Sequence, residues 1–169
     1  MTHRPTLKTD RFTLSPLVLS DEPAIEHYVS DIRIAWMVSS ITHPNPEGAT
    51  RAFLERVVDP ANPDVTWSIR QEDTLLGVIT LRGNGELGYW LGPDHWGKGI
   101  MTEAGKAVVD HAFARGETRV HAQRFADNEA SGRVLEKLGL NKVGFDEPEF
   151  CPTRDAIVEK YLYERKNDG

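Results

Sequence analysis

The sequence predicts a single α/β domain over residues 1–169, built on a mixed sheet with elements in the order βααβββαβαββ. Three observations carry this. Arg11 to Leu17 alternates apolar and polar residues as a strand, and three further strands joined by turn residues read between Trp67 and Leu91. An apolar stripe with helical spacing, Met101, Ala104, Val108 and Ala112, runs through the middle of the chain. Turn residues separate the two periodicities, and no repeat, low-complexity tract or linker interrupts them.

The elements follow in order. Phe12 and Leu14 share one side of the first strand, Thr13 and Ser15 the other. Ser20 or Asp21 is expected to cap a helix running to about Ser30, with Pro23 in its first turn. Ile41 to Pro46 reads as loop. Pro46 and Glu47 open a second helix, with Ala49, Ala52, Phe53 and Val57 on one face. A meander follows: a strand around Trp67 and Ile69, a second over Thr74 to Arg82 and a third over Glu86 to Leu91. Turns at Glu72-Asp73 and Gly83-Asn84-Gly85 join them. The long helix spans about Gly99 to Arg115 and stops at Gly116. Val120 to Phe125 is a strand, and Asp127 or Asn128 caps a helix that ends at Leu138-Gly139. A hairpin, about Asn141 to Phe145 and Ala156 to Glu164, closes the chain.

Composition bounds the function. Hydrophobic residues make up 39% and charged residues 27% of 169, the balance of a globular domain rather than a disordered one. The one cysteine, Cys151, has no intramolecular partner, which reads as an ordinary cytoplasmic protein. No apolar run approaches the roughly 20 residues of a membrane span, and Met1 to Asp10 has no apolar core of a signal peptide, so no membrane association is expected. A net charge of −6 argues against nucleic acid as a partner. That charge is uneven: residues 1–94 carry −5, residues 95–142 carry +2 and residues 143–169 carry −3. The positive middle is compatible with a small anionic ligand. The six histidines lack metal spacing and no metal is expected.

The most informative segment is Leu87 to Ala104. A strand enters a loop, Gly92 to Gly97, and a helix begins with glycines at 97 and 99. Unpaired N–H groups and the positive end of the helix dipole make such a start an anion site, and glycine lets a phosphate approach the backbone. A tight turn that needs glycine for its dihedrals is the plain alternative. Two phosphate motifs nearly match. Gly92, Gly97 and Lys98 frame a P-loop, but Gly99 stands where Ser or Thr must hold Mg²⁺. A dinucleotide fingerprint starting at Gly97 places Thr102 where its third glycine belongs.

A third pattern closes. Gly88-Tyr89-Trp90-Leu91, Pro93 and Trp96-Gly97-Lys98-Gly99-Ile100-Met101-Thr102-Glu103-Ala104 resemble the acetyl-CoA loop of the GNAT superfamily of N-acetyltransferases, within it the RimJ/RimL-like group. Arg11 to Leu17 with Asp21 is similar to that group's opening, and Asn128-Glu129-Ala130-Ser131 through Leu140 to its second signature. The resemblance implies a mostly antiparallel central sheet flanked by helices, acetyl-CoA as cosubstrate, and direct acetyl transfer to a primary amine. It implies that Trp96, Gly97, Lys98, Gly99, Ile100, Met101 and Thr102 hold the pyrophosphate. Tyr89, Trp90 and Leu91 would align the pantetheine arm through their strand edge and polarise the thioester carbonyl through a backbone N–H. Asn128 would cap its helix and also bond the pantetheine.

The departures locate the open chemistry. Many relatives place a tyrosine at the position of Leu135, to protonate the leaving thiolate, and some place a glutamate base at the position of Gln123. Leucine and glutamine supply neither function. Ser131 is then the candidate acid, with a capping or solvated hydroxyl as its plain role, and Glu86 the candidate base, with a solvated edge carboxylate as its plain role. His95 is a loop residue within reach of a phosphate. Two further readings compete: a CoA-binding sensor with weak catalysis, and a P-loop phosphotransferase. The acceptor is a protein N-terminus or a small amine, and the chain is a monomer or homodimer.

Overall fold

Alternation along the strands decides the layering. In the computed structural model, which describes residues 3–169, eight strands form one sheet. They are β1 (Leu7–Lys8), β2 (Thr13–Pro16), β3 (Val65–Gln71), β4 (Thr74–Leu81), β5 (Glu86–Leu91), β6 (Arg119–Phe125), β7 (Asn141–Cys151) and β8 (Ala156–Lys166), in the spatial order β1-β2-β3-β4-β5-β6-β8-β7. Met1 and Thr2, which open the segment read above for a signal peptide, lie outside the described residues.

Five helices cover the faces: α1 (Glu22–Val29), α2 (Ile32–Ala35), α3 (Ala49–Val58), α4 (Ile100–Ala114) and α5 (Glu129–Lys137). Leu14, Trp67, Ile69, Ile79, Leu87, Val120, Ala122 and Tyr163 meet Ile100, Met101, Ala104, Val108, Ala112 and Leu135 in the larger core, under α4 and α5. The predicted stripe of the long helix is therefore its buried face. On the other face a smaller cluster joins Val78 and Leu75 to Ile25 and Val29 of α1 and Leu54 and Val57 of α3, with Trp90 packed against it. Both faces of the sheet are covered, and β5 contributes to each.

Every neighbouring strand pair is antiparallel except β5 and β6. These run parallel, as a crossover through α4 requires, and they pair only at Glu86↔His121 and Leu87↔Ala122. Beyond Leu87 the two strands diverge. That split in the middle of the sheet positions the site.

The sequence order misses two short elements. β1 is two residues long, too short to show a period, and forms by pairing with Leu14 and Thr13. α2 is a single turn capped by Asp31, whose Oδ1 accepts from Arg33 N at 2.9 Å. Asp21 does not cap α1 with its side chain; it accepts from Val18 N at 3.0 Å and pairs with Arg70. α3 starts at Ala49 and buries Thr50, Leu54 and Val57 while Ala52 faces solvent, because the helix is rotated to pack on α1. The closing hairpin is longer than predicted: two register shifts in β7, the second spanning Pro148, let pairing resume out to Cys151↔Ala156. Its tip holds the segment after α2. Arg154 donates to Trp36 O at 2.7 Å and pairs with Asp127, and Thr153 Oγ1 accepts from His43 N at 3.1 Å.

Candidate active site

The loop between β5 and α4 is fixed at both ends. Gly92 N–H donates to Leu76 O at 2.8 Å, and Pro93–His95 form one 3-10 turn. Gly97 and Gly99 then take φ of 74° and 73°, the left-handed region that glycine enters without steric cost. The first helical hydrogen bond runs from Glu103 N–H to Gly99 O at 3.1 Å. Among the described residues, the six N–H groups from Gly97 to Thr102 have no backbone acceptor, and they surround the N-terminus of a 15-residue helix. A side chain at Gly97 would meet no protein atom within 4 Å, so the space over it is open.

Arg11 of the β1–β2 turn braces this loop. Its guanidinium donates to Lys98 O at 3.2 Å and to Glu103 Oε1 at 2.8 Å, while its backbone N–H and Thr9 Oγ1 reach Glu103 Oε2 at 3.0 and 2.5 Å. Burial would raise the Glu103 pKa, but the hydrogen bonds from Thr9 and Arg11 outweigh it and hold the carboxyl below its ordinary value. The carbonyl of Lys98 is thus turned outward, to Arg11. The Lys98 side chain does not line the cavity, whereas Ile100 and Met101 are buried beneath the loop.

The edge of β5 is the second part. Glu86 O accepts from Arg82 N, and Gly92 N donates to Leu76 O, so the even-numbered residues address β4. Alternation turns the N–H and C=O of Tyr89 and Leu91 toward the split, where β6 no longer pairs. The Trp96 indole N–H takes Leu91 O at 2.8 Å. This leaves the Tyr89 N–H and C=O and the Leu91 N–H as an open strand edge.

The third part comes from α5. Asn128 is its cap, accepting from Ser131 N at 3.2 Å through Oδ1, which leaves the amide NH₂ for another partner. Ser131 Oγ lies 2.9 Å from Tyr89 Oη. Burial pushes the Tyr89 phenol well above the usual tyrosine pKa, against a smaller lowering by the hydrogen bond with Ser131, so it stays protonated. Leu135 is wholly buried in the core and takes no part. Tyr89 of β5 places a phenol beside Ser131, where the helix itself carries leucine. Sequence reading has Tyr89 in a backbone role and, among several aromatics, as a candidate to line a substrate slot; nothing local shows that its side chain meets residue 131.

Two cavities flank β5. One of about 330 Å³ is lined by Gly97, Gly99, Thr102, Trp96, Asn128 and Ser131, with His95 at its wall. The other, about 600 Å³, lies between the sheet and α1 and α3, with Glu86, Gly88, Gln123, Glu149 and Lys160 around it. Tyr89, Trp90, Met37 and Val38 line both, so the cavities meet at β5. Glu86 is the carboxylate of β5 in the second cavity, with Arg82 Nε 3.7 Å away. Lys160, 8% exposed, donates to Gln123 Oε1 at 2.9 Å and Glu149 Oε2 at 3.1 Å. Gln123 is therefore occupied as the acceptor of a buried ammonium. Among the described residues there is no cluster of metal-ligating side chains, and no helix is long and apolar enough to cross a membrane.

The model of the acetyltransferase (GNAT) domain matches residues 11–141. The chain belongs to the GNAT acetyltransferases. The N-acetyltransferase YoaA of Bacillus subtilis is 31% identical over 170 residues, covering 95% of this chain and 89% of that protein. The ribosomal-protein-serine acetyltransferase of Escherichia coli is 34% identical over 109 residues, 60% of each chain. The GNAT fold is shared with RimL, the ribosomal L7/L12 α-N-protein acetyltransferase, solved in complex with coenzyme A. Its TM-score is 0.86 at 18% identity, over 97% of this chain and 99% of that one. This GNAT protein is an N-acetyltransferase. The near match to a P-loop is overturned by the family match: the glycines at 97 and 99 open the helix of an acetyltransferase domain and carry no magnesium-binding hydroxyl.

Proposed function

We propose that residues 1–169 act as one domain that transfers acetyl from acetyl-CoA to the α-amine of a polypeptide N-terminus. The observation that carries this reading is the meeting of the two cavities at Tyr89 and Trp90, beside an open strand edge and a hydroxyl pair. The N–H groups of Gly97 to Thr102 suit a pyrophosphate, and the small cavity with the free edge of β5 suits a pantetheine arm. The Asn128 amide donates to that arm while its oxygen caps α5.

The chain's residues divide the chemistry. The Tyr89 or Leu91 N–H donates to the thioester oxygen as negative charge develops on it. The amine nitrogen bonds to the carbonyl carbon and the C–S bond breaks. Glu86, through a water, takes the proton that the nitrogen loses. Ser131 Oγ–H protonates the departing sulfur and regains a proton through the Tyr89 hydroxyl 2.9 Å away, which takes one from water in the same relay, so both hydroxyls end protonated. The products are an amide and a thiol.

The α-amine class is supported by the RimL and ribosomal-protein-serine relatives and by acid–base arithmetic. With Gln123 engaged by Lys160, no carboxylate stands at that position. An α-amine with pKa ~8 is roughly a tenth unprotonated at pH 7, whereas a lysine amine is about 0.04% unprotonated. A weakly assisted site therefore favours the α-amine. The test is thiol release from acetyl-CoA with a short peptide bearing a free N-terminus, against the same peptide with a blocked N-terminus and a lysine side chain. Faster turnover of the free N-terminus at pH 7 is expected, with Glu86→Gln slower by about 10²-fold in kcat/KM. Equal turnover of the two peptides overturns the α-amine class, and no turnover of any amine leaves the sensor reading.

A further inference from the structure

Gly88 has no reason within the protein to be glycine. Its φ lies outside the left-handed region, so any residue could adopt its backbone. A Cβ built there meets no protein atom within 4 Å, so packing does not exclude a side chain. This contrasts with Gly77 of β4, opposite Leu91, where a Cβ would fall 2.4 Å from Trp90 O. Glycine inside a strand also carries an entropic cost and offers nothing to pack. Gly88 sits mid-strand in β5, opposite Thr80 of β4, and is the first residue after β6 stops pairing.

Its missing side chain has a direction. Leu87 and Tyr89 pack in the core under α4, so Glu86, Gly88 and Trp90 address the face toward α1 and α3. Gly88 accordingly lines the larger cavity and not the smaller one. The candidate base Glu86 stands on one side of the gap, and Trp90, which lines both cavities, on the other.

We propose that the gap over Gly88 is the passage through which the acceptor amine reaches the acetyl group, and that the size of residue 88 determines which acceptors can enter. The inference rests on the N-acetyltransferase reading above and adds its specificity determinant. An amine entering here lies flat against a strip of bare backbone, between the carboxylate that receives its proton and the split where the strand edge is open. A β-carbon would fill the strip and hold the nitrogen away from the carbonyl carbon. The class that fits is a primary amine on an extended, slender segment such as a peptide N-terminus.

The experiment compares the parent with Gly88→Ala and Gly88→Val, reading Tm, the Kd for CoA by calorimetry, and kcat/KM toward a peptide N-terminus. Alanine and valine are better strand residues than glycine and meet nothing in the protein, so Tm should hold or rise. CoA affinity should stay at the parent value. Acceptor kcat/KM should fall about tenfold for alanine and about 10²-fold for valine. Full acceptor turnover in both variants overturns the proposal. So does a loss of CoA affinity, which would give the gap to the cosubstrate, and so does a fall in Tm, which would make the glycine structural. If the parent itself turns over no amine, the N-acetyltransferase reading fails instead, and that result is separate from any of these.

Discussion

Tyr89 and Ser131 share a hydrogen bond across 42 residues of sequence. Each hydroxyl alone has an ordinary alternative, the serine in the first turn of a helix and the tyrosine on a half-buried strand. Together they form a short donor chain beside the open edge of β5. Burial keeps the phenol protonated, so it can donate but cannot serve as a base near neutral pH. Ser131→Ala should lower kcat about tenfold to 10²-fold with little change in acetyl-CoA KM, and Tyr89→Phe should cost less, since Ser131 can draw a proton from water. A thioester with a more acidic leaving thiol should narrow both losses, because its thiolate needs no proton. Steady-state kinetics with two such thioesters checks this; losses that do not depend on the leaving group would remove both residues from the proton path.

At the scale of an element, the loop from β5 to α4 owes its shape to a distant turn. The glycines permit the left-handed dihedrals, but the direction of the Lys98 carbonyl is set by Arg11, through the same guanidinium that pairs with Glu103. An exposed ion pair contributes little to stability, commonly under about 1 kcal/mol. Arg11 matters more for the loop than for the fold. Arg11→Ala should therefore leave Tm nearly unchanged while weakening CoA binding about tenfold, a coupling of about 1.4 kcal/mol. Arg11→Lys should recover part of it, as one cation without the planar fork. Calorimetry with CoA, and with CoA lacking its 3′-phosphate, reads the effect. A Tm that falls in step with affinity would mean Arg11 only holds the fold.

For the molecule as a whole, His111 makes stability depend on pH. It lies on α4 against Trp67, with ring centroids 5.8 Å apart, and its buried Nε2 has no hydrogen-bond partner among the described residues. Burial lowers its pKa, and the nearby Arg115 and His3 add to the lowering. The folded state thus keeps this imidazole neutral at a pH where the unfolded chain, with an ordinary pKa of about 6.5, already binds a proton. More protons bound in the unfolded state means stability rises with pH, so Tm should fall as pH drops from about 7.5 through 6.5 toward 5.5. His111→Phe preserves the edge-to-face contact and removes the titration. Its Tm should fall less over the same range, and a variant whose Tm tracks the parent would clear His111 of the effect.

The order of the main elements, the apolar stripe of α4, a cap at Asp127 or Asn128 and the glycine loop with its family resemblance were legible in the chain alone. These depend on patterns within a few residues: a period of two or of 3.6, a cap three residues from its donor, a dihedral only glycine adopts readily. The tertiary structure decided what the pieces do together. The split between β5 and β6 appears only when pairing stops at Leu87↔Ala122. Leu135 reads as a lost tyrosine until Tyr89 is seen to bring a phenol from another strand. Gln123 reads as a failed base until Lys160 is found on its oxygen. Arg11 reaches Glu103 across 92 residues. Gly88 looks like one more motif glycine until the space around it proves empty. Such facts arise from packing between segments far apart in the chain, where one side chain's surroundings are set by residues that its own neighbours do not encode.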